Sequence, residues 1–566
     1  MTRLLITLLL CLIAPIFLEA QETAAVGPGR LTGSLETRAS FYNRDSLIGA
    51  TDIPQYDRQL FGAETWLALN YSNLGFDIGL RFDLFNNSQL LNPSGSYTAQ
   101  GIGRWYIKKS VGKLDLAGGY LYDQIGSGII YRAYEERSLA IDNALYGVRL
   151  GYRLSDDWYV KGFTGRQKQQ FEAYESIIRG MNLEGFVAQP EGKFTLAPGF
   201  GAVARTFDDA SVNSLVATLN TYLEEDIFIP NYNTYAFSLY NTLTAGDFTW
   251  YAEGAYKTED AMNDPFGVRT SASGDVIVGN QFFEGDGSVL FSSLTYARKG
   301  FGVVVEGKRT ENFSWRTRPQ EQLNRGLIAF LPPMGRVNTY RLTARYNAVT
   351  QDLGELAYKA DISYSPTRKL NFNVFFTDIT SLDQTRLYRE FQGRVQYKYK
   401  RKWTLLAGLQ RQEYNQEVYE FKPGAPIVKT WVPFVDFLYK LDRKKALRFE
   451  FQYMNVGEST DATTGKTALH DYGNWLFGQV ELTLAPHWTF TVGDMYNSSP
   501  GKNSPSDASG EKLSLHYPRV DVFYTNNSNR FSLSYIKQVE GIVCTGGVCR
   551  LEPAFSGVKL GVSSTF

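Results

Sequence analysis

The feature that most constrains this chain is alternation. Phe76, Ile78, Leu80, Phe82 and Leu84 are separated by Asp77, Gly79, Arg81 and Asp83. Leu447, Phe449, Phe451 and Tyr453 are separated by Arg448, Glu450 and Gln452, and the same beat runs through Leu356, Tyr358, Ala360, Ile362 and Tyr364. Successive side chains of a strand point to opposite faces, so each segment has one apolar and one polar face. A soluble sandwich would alternate too. These segments, however, run to about ten residues or more, the length that crosses a bilayer when tilted, where the commonest strands have about 5–6.

The turns sharpen the choice. Tight turns fall at Asn73-Leu74, Val111-Gly112, Ala245-Gly246, Lys299-Gly300, Lys400-Arg401-Lys402, Asp442-Arg443-Lys444 and Ala485-Pro486-His487. Longer polar connections lie between them, at 86–98, 259–286, 313–336, 416–428, 457–470 and 497–512. Short and long in turn is the rhythm of an outer-membrane barrel. Trp158, Phe248, Phe301, Trp403, Trp488 and Phe531 each follow a short turn, which predicts an aromatic girdle at one depth. About eleven hairpins, plus a first strand from Arg30 to Tyr42 pairing a last one ending near Phe566, give about 24 strands. The expected fold is all-β: a single large antiparallel transmembrane β-barrel of about 24 strands (range 20–26) with no plug domain. The stretches 337–347 and 210–224 fit the count ambiguously, the first as strand or excursion, the second as loop helix or strand extension.

Composition excludes other classes. Lys plus Arg and Asp plus Glu are both 58 in 566 residues, so no basic surplus invites nucleic acid. Three His and three Cys leave almost nothing for a zinc framework. The N-terminus reads as a signal peptide over 1–20, with Arg3, an apolar run at 4–18 and a cleavage site at Leu18-Glu19-Ala20. Residues 21–29 then form a short periplasmic tail and 30–566 the barrel, in the bacterial outer membrane. Cys544 and Cys549 are an even pair in an exported chain, and a disulfide is expected.

Several stretches resemble an uncharacterised family of large Bacteroidota outer-membrane proteins, known only as a domain of unknown function. They are Gly126-Ser127-Gly128 with Tyr131-Arg132-Ala133-Tyr134-Glu135-Glu136-Arg137 and Ile141-Asp142-Asn143; Phe330-Leu331-Pro332-Pro333 with Asn338-Thr339-Tyr340; and Cys544…Cys549-Arg550 with Pro553-Ala554-Phe555. The resemblance implies location and fold, and carries no activity.

The expected lumen face carries Arg81, Asp83, Glu306, Lys308, Arg448 and Glu450, read as a mutually paired, solvated wall. The charged stretch with Arg132, Glu135, Glu136, Arg137 and Asp142 is either an inward-folded constriction or partner loop, or a solvated surface loop. The second reading is preferred. An unplugged barrel this wide would leak, so long loops folding inward, or a partner, are expected to fill it. No catalytic residue, cofactor or metal is expected. His470-Asp471, His487 and His516 lack a nucleophile at a recognisable spacing, and Asp208-Asp209 and Glu224-Glu225-Asp226 lack the spaced ligands of a calcium loop. The chain is therefore expected not to be an enzyme. The expected partners are outer-membrane lipid, the barrel assembly machinery during biogenesis, and an outer-membrane protein if the barrel is a subunit. The function expected is a channel or transporter for solutes; the alternative is a non-transporting scaffold in a secretion or assembly complex.

Overall fold

A computed structural model of the chain describes residues 29–189, 192–460, 467–545 and 547–566. The expected signal peptide, and the tail up to residue 28, lie outside these residues. The alternating segments form one continuous antiparallel sheet. Each strand pairs the wall strand that follows it along the chain, and Arg30–Tyr42 pairs Phe555–Thr565 to close the ring. The sheet has 25 strand segments; one is the two-residue Val187–Ala188 beside a turn, which leaves 24 in the closed wall. Closure leaves no unpaired edge, the condition for a sheet in lipid.

One end carries the short turns. There the aromatics meet across neighbouring strands: Phe248 lies 4.6 Å from Tyr296, Trp488 4.6 Å from Tyr524, and Trp403 5.9 Å from Phe437, measured between ring centroids. Phe248, Phe301, Trp488 and Phe531 are exposed on the outer face, as are Ile78, Leu80 and Phe82 further along the wall. The outer surface is thus apolar, with rings gathered at one level.

The plain description of a barrel with no plug domain is corrected in what fills the wall: no separate plug domain stands among the described residues, but the lumen is occupied by inward-folded loops of the chain itself. Two stretches at the long-loop end, 122–144 and 312–353, fold inside the wall. They pack against it through a core that includes Ile125, Ile130, Phe313, Trp315, Ile328 and Leu342, each at most 1% exposed. A dry core inside a barrel is the physical reason for the correction: these segments are too apolar to remain in water. Residues 313–336, expected as an outside connection, belong to the second insert. The stretch 337–347 is neither strand nor outside excursion; it runs as turns within the lumen. The stretch 210–224 holds a helix, Asp209–Leu219, outside the wall count.

Candidate functional site

The first insert, 122–144, enters through a sharp turn. Gly126 sits at φ +53°, and a Cβ there would lie 2.7 Å from the Glu253 carboxylate. Glu253 in turn accepts from the Ser127 backbone N–H at 2.9 Å. Beyond the turn, Ile129, Ile130 and Tyr131 are buried, and the charged residues that follow spread along the wall. Arg81 is the hub. Its guanidinium reaches Asp83 at 2.6 Å, Glu135 at 2.7 Å and Asp142 at 2.7 Å. Asp142 also pairs with Lys168, and Arg137 joins Glu135 at 2.9 Å to Glu36 at 2.6 Å. Gly103 is required here, because a Cβ at that position would collide with the Asp83 carboxylate.

The second insert, 312–353, is held by different chemistry. Most of it has no regular secondary structure, so its backbone groups need partners from elsewhere. The wall supplies them. Lys257 donates to the Ser314 carbonyl at 3.0 Å, Arg205 to Arg316 at 2.9 Å, and Lys308 to Pro332 at 2.7 Å. Gln410 and Gln412 donate to the carbonyls of Thr343 and Tyr346, and Gln452 accepts from the Leu342 N–H. Asn338 lies between Glu390 and Gln392; Tyr340 donates to Asp436 and Tyr346 to Asp471.

The three wall cations are themselves paired on the wall. Arg205 meets Asp260 at 2.6 Å, Lys257 meets Asp260 at 3.2 Å, and Lys308 meets Glu355 at 3.0 Å, all at most 1% exposed at the side chain. Lys257 and Asp260 differ in parity and would face opposite sides of a regular strand. A bulge between them turns both inward.

The inserts also bind each other. Arg132 donates its N–H to the Ile328 carbonyl, Phe330 to that of Gly128, and the Trp315 indole to that of Ile130. The Arg132 guanidinium lies 3.9 Å from the centre of the Phe330 ring. A third piece caps them, the hairpin of Gly541–Thr545 and Val548–Glu552, closed by the Cys544–Cys549 disulfide. Arg550 donates to the Ser138 carbonyl of the first insert at 2.7 Å, and the Thr350 N–H of the second reaches Gly547 at 3.0 Å.

The residues singled out in the sequence fall as follows. Arg81, Asp83, Glu306, Lys308, Arg448 and Glu450 face inward; Glu306 pairs with Lys359, and Arg448 with Asp436 at 2.8 Å. Arg132, Glu135, Glu136, Arg137 and Asp142 lie in the first insert, so the preferred reading of a solvated surface loop is corrected. Glu136 caps the turn that follows by accepting from Ser138. Asp208 caps the helix Asp209–Leu219 through the Ser211 N–H, and Glu224–Asp226 forms one 3₁₀ turn. Asp471 is engaged by Tyr346, Gln416 and Asn503, and not by its neighbour His470. Arg205, Lys257 and Asp260 are not among the residues the sequence picks out. Nor are the wall glutamines, whose signal is a polar residue on the inward face of otherwise apolar strands.

The model of a family of unknown function (DUF6029) matches residues 1–566. The chain belongs to this family. No curated protein matches it. Similar solved structures include the translocation pore of the P pilus usher PapC, 11% identical, with a TM-score of 0.40 over 94% of this chain and 99% of that one. The ferric enterobactin receptor PfeA of Pseudomonas aeruginosa is 8% identical, with a TM-score of 0.40 over 96% of this chain and 82% of that one. The siderophore receptor PirA of the same organism is 8% identical, with a TM-score of 0.39 over 95% and 80%.

In this DUF6029 chain the seating of the inserts depends on two carboxylates, the half-buried Asp142 and the buried Asp471. Burial would raise the Asp142 carboxyl, but Lys168 and Arg81 outweigh it and hold it below the ordinary aspartate value. Asp471 is likewise lowered, its burial outweighed by Arg345 and by hydrogen bonds from Asn503, Gln416 and Tyr346. A lowered folded value stabilises fully above the unfolded value, about 4, and the stabilisation is lost as pH falls through the folded one. Hydrogen exchange of 122–144 and 336–350, corrected for intrinsic rates, is therefore expected to stay constant from about pH 8 to 5 and to accelerate below about pH 4. Acceleration already between pH 7 and 5 would show that other groups hold the inserts.

Proposed function

We propose that the protein is a bacterial outer-membrane barrel that acts as a solute conduit held shut by its own chain, with passage requiring the inserts to shift. One observation carries this reading. Apart from the Ala144 carbonyl at the end of the first insert, which accepts from the Lys168 backbone N–H, both inserts are bound to the wall through side chains and not as strands of its sheet, so either can move without breaking a wall pairing. Each also hangs from the long-loop rim at both its ends. Lipid surrounds the apolar outer face, and the barrel assembly machinery is the partner in biogenesis. In this reading the chain performs no covalent chemistry, and its polar network serves seating alone.

A second reading has an observation of its own. The interface between inserts and wall is packed like a protein interior, with Trp315, Ile130 and Leu342 at 1% exposure or less, which suits a permanently closed scaffold or partner subunit. The two are separated by locking the second insert. Asn338 and Gln392 are hydrogen-bonded through their side-chain ends at 3.0 Å, so N338C and Q392C place two thiols within the span of a short bis-maleimide with a cleavable disulfide. Liposome swelling with small sugars should exceed protein-free vesicles for the wild type, stop when the pair is cross-linked and return when the linker is cleaved by reductant. Wild-type protein given the same reductant is the control. Swelling that is absent throughout, or indifferent to the lock, would favour the scaffold.

A further inference from the structure

Between the second insert, the short helix Gln416–Glu420 and the disulfide hairpin lies a cavity of about 660 Å³ at the long-loop mouth. That volume is in the range of about 300–1,000 Å³ typical of small-molecule sites. Phe266 and Phe421, from two separate connections, stack across its rim with centroids 5.2 Å apart and ring planes 13° apart. We infer that this cavity is a binding site for an uncharged, aromatic or largely apolar molecule carrying an oxygen acceptor, taken up from the loop side of the barrel.

Three features of the lining point to that class. Most of its charged side chains are spent on one another: Arg205 on Asp260 at 2.6 Å, Lys422 on Glu420 at 2.6 Å, Arg345 on Asp471 at 3.5 Å, and Arg316 on Asp352 at 3.6 Å. Those without an opposite charge are held by neutral groups: Glu321 and Glu540 accept from the Tyr174 and Tyr472 hydroxyls, and Arg550 donates to the Ser138 carbonyl. An ionic ligand would have to displace one of these partners. Most of the remaining surface is apolar and aromatic, with Trp315, Phe330, Leu331 and Val349 contributing. Such a surface rewards burial of rings and carbon in proportion to area. Finally, Tyr419 lines the site, is 4% exposed, and its hydroxyl has no hydrogen-bond partner. A buried phenol is normally satisfied, and an acceptor on the ligand would satisfy it. The inference stands apart from the conduit reading, since a site at the mouth can fill whether or not the lumen conducts.

The test is equilibrium dialysis of 2-naphthol against the full barrel in lipid nanodiscs, with empty nanodiscs as baseline. One saturable site per barrel is expected. 2-Naphthalenesulfonate, the same ring system with a charge, should bind about tenfold more weakly or worse. V349W, which fills the cavity, should lose about tenfold in affinity. Y419F, nearly isosteric, should weaken 2-naphthol several-fold and leave naphthalene unchanged, and it guards against V349W failing to fold. Uptake no greater than in empty nanodiscs, equal binding by V349W with its heat-modifiable mobility intact, or tighter binding of the sulfonate would each overturn the assignment.

Discussion

Replacing residues 314–350 by a linker of about ten Gly and Ser residues should turn a nearly silent barrel into one with steady conductance of the nanosiemens class in planar bilayers. The linker is long enough because the strands Phe301–Glu311 and Gly354–Thr367 are direct neighbours, with Glu311 opposite Gly354. The truncated wall should still close. Arg205, Lys257 and Lys308 keep their wall carboxylates Asp260 and Glu355, so removing the insert costs them hydrogen bonds and leaves their charges paired. Heat-modifiable migration on gels would confirm a folded barrel. A folded, truncated barrel that stays silent would mean that 122–144 and the disulfide hairpin close the lumen by themselves, and the second insert would lose its role as gate.

The second large effect concerns Asp260. Asp260→Asn leaves the Arg205 and Lys257 side chains, 1% and 0% exposed, with no anion between them. Breaking a buried pair in this way costs about 3–5 kcal/mol. Lys257→Met instead keeps the closer Arg205–Asp260 pair and replaces a buried ammonium with a chain of similar length, so its cost should be well under half of that. Urea unfolding from lipid vesicles measures both. Equal losses would show that the triad is held by packing and not by charge. The loss should also appear as faster exchange around Ser314 and Arg316, whose carbonyls Lys257 and Arg205 hold.

The wall was legible because one rule, period two, recurs in strand after strand. Residues 76–84 and 447–453 show it without interruption, and short turns such as that at Asn73 to Gly75 bound it. The interior was not legible, for two physical reasons. An aperiodic stretch looks alike whether it hangs in water or lies in a lumen, and 312–353 has no period. Its apolar run Ile328-Ala329-Phe330-Leu331 was the available clue, since a solvated loop has no use for it. The second reason is the bulge. Parity assigns Lys257 and Asp260 to opposite faces, and only the extra residue between them brings both to the site. The charges of the first insert were visible in the sequence, but their partners Glu36, Arg81 and Lys168 lie on strands that only the closed ring brings around them.

The positions of those partners along the chain imply an order of construction. Glu36, Arg81 and Lys168 all occur within the first 168 residues, so the first insert can settle on the early half of the sheet while it is still an open trough. The second insert straddles both halves, gripping Arg205 and Lys257 behind it and Glu390, Gln452 and Asp471 ahead. The disulfide hairpin comes last, touches both, and is followed by the strand Phe555–Thr565 that zips to the first. The ring can thus be coopered around its contents, stave by stave, and never needs to pass through a hollow stage that would leak.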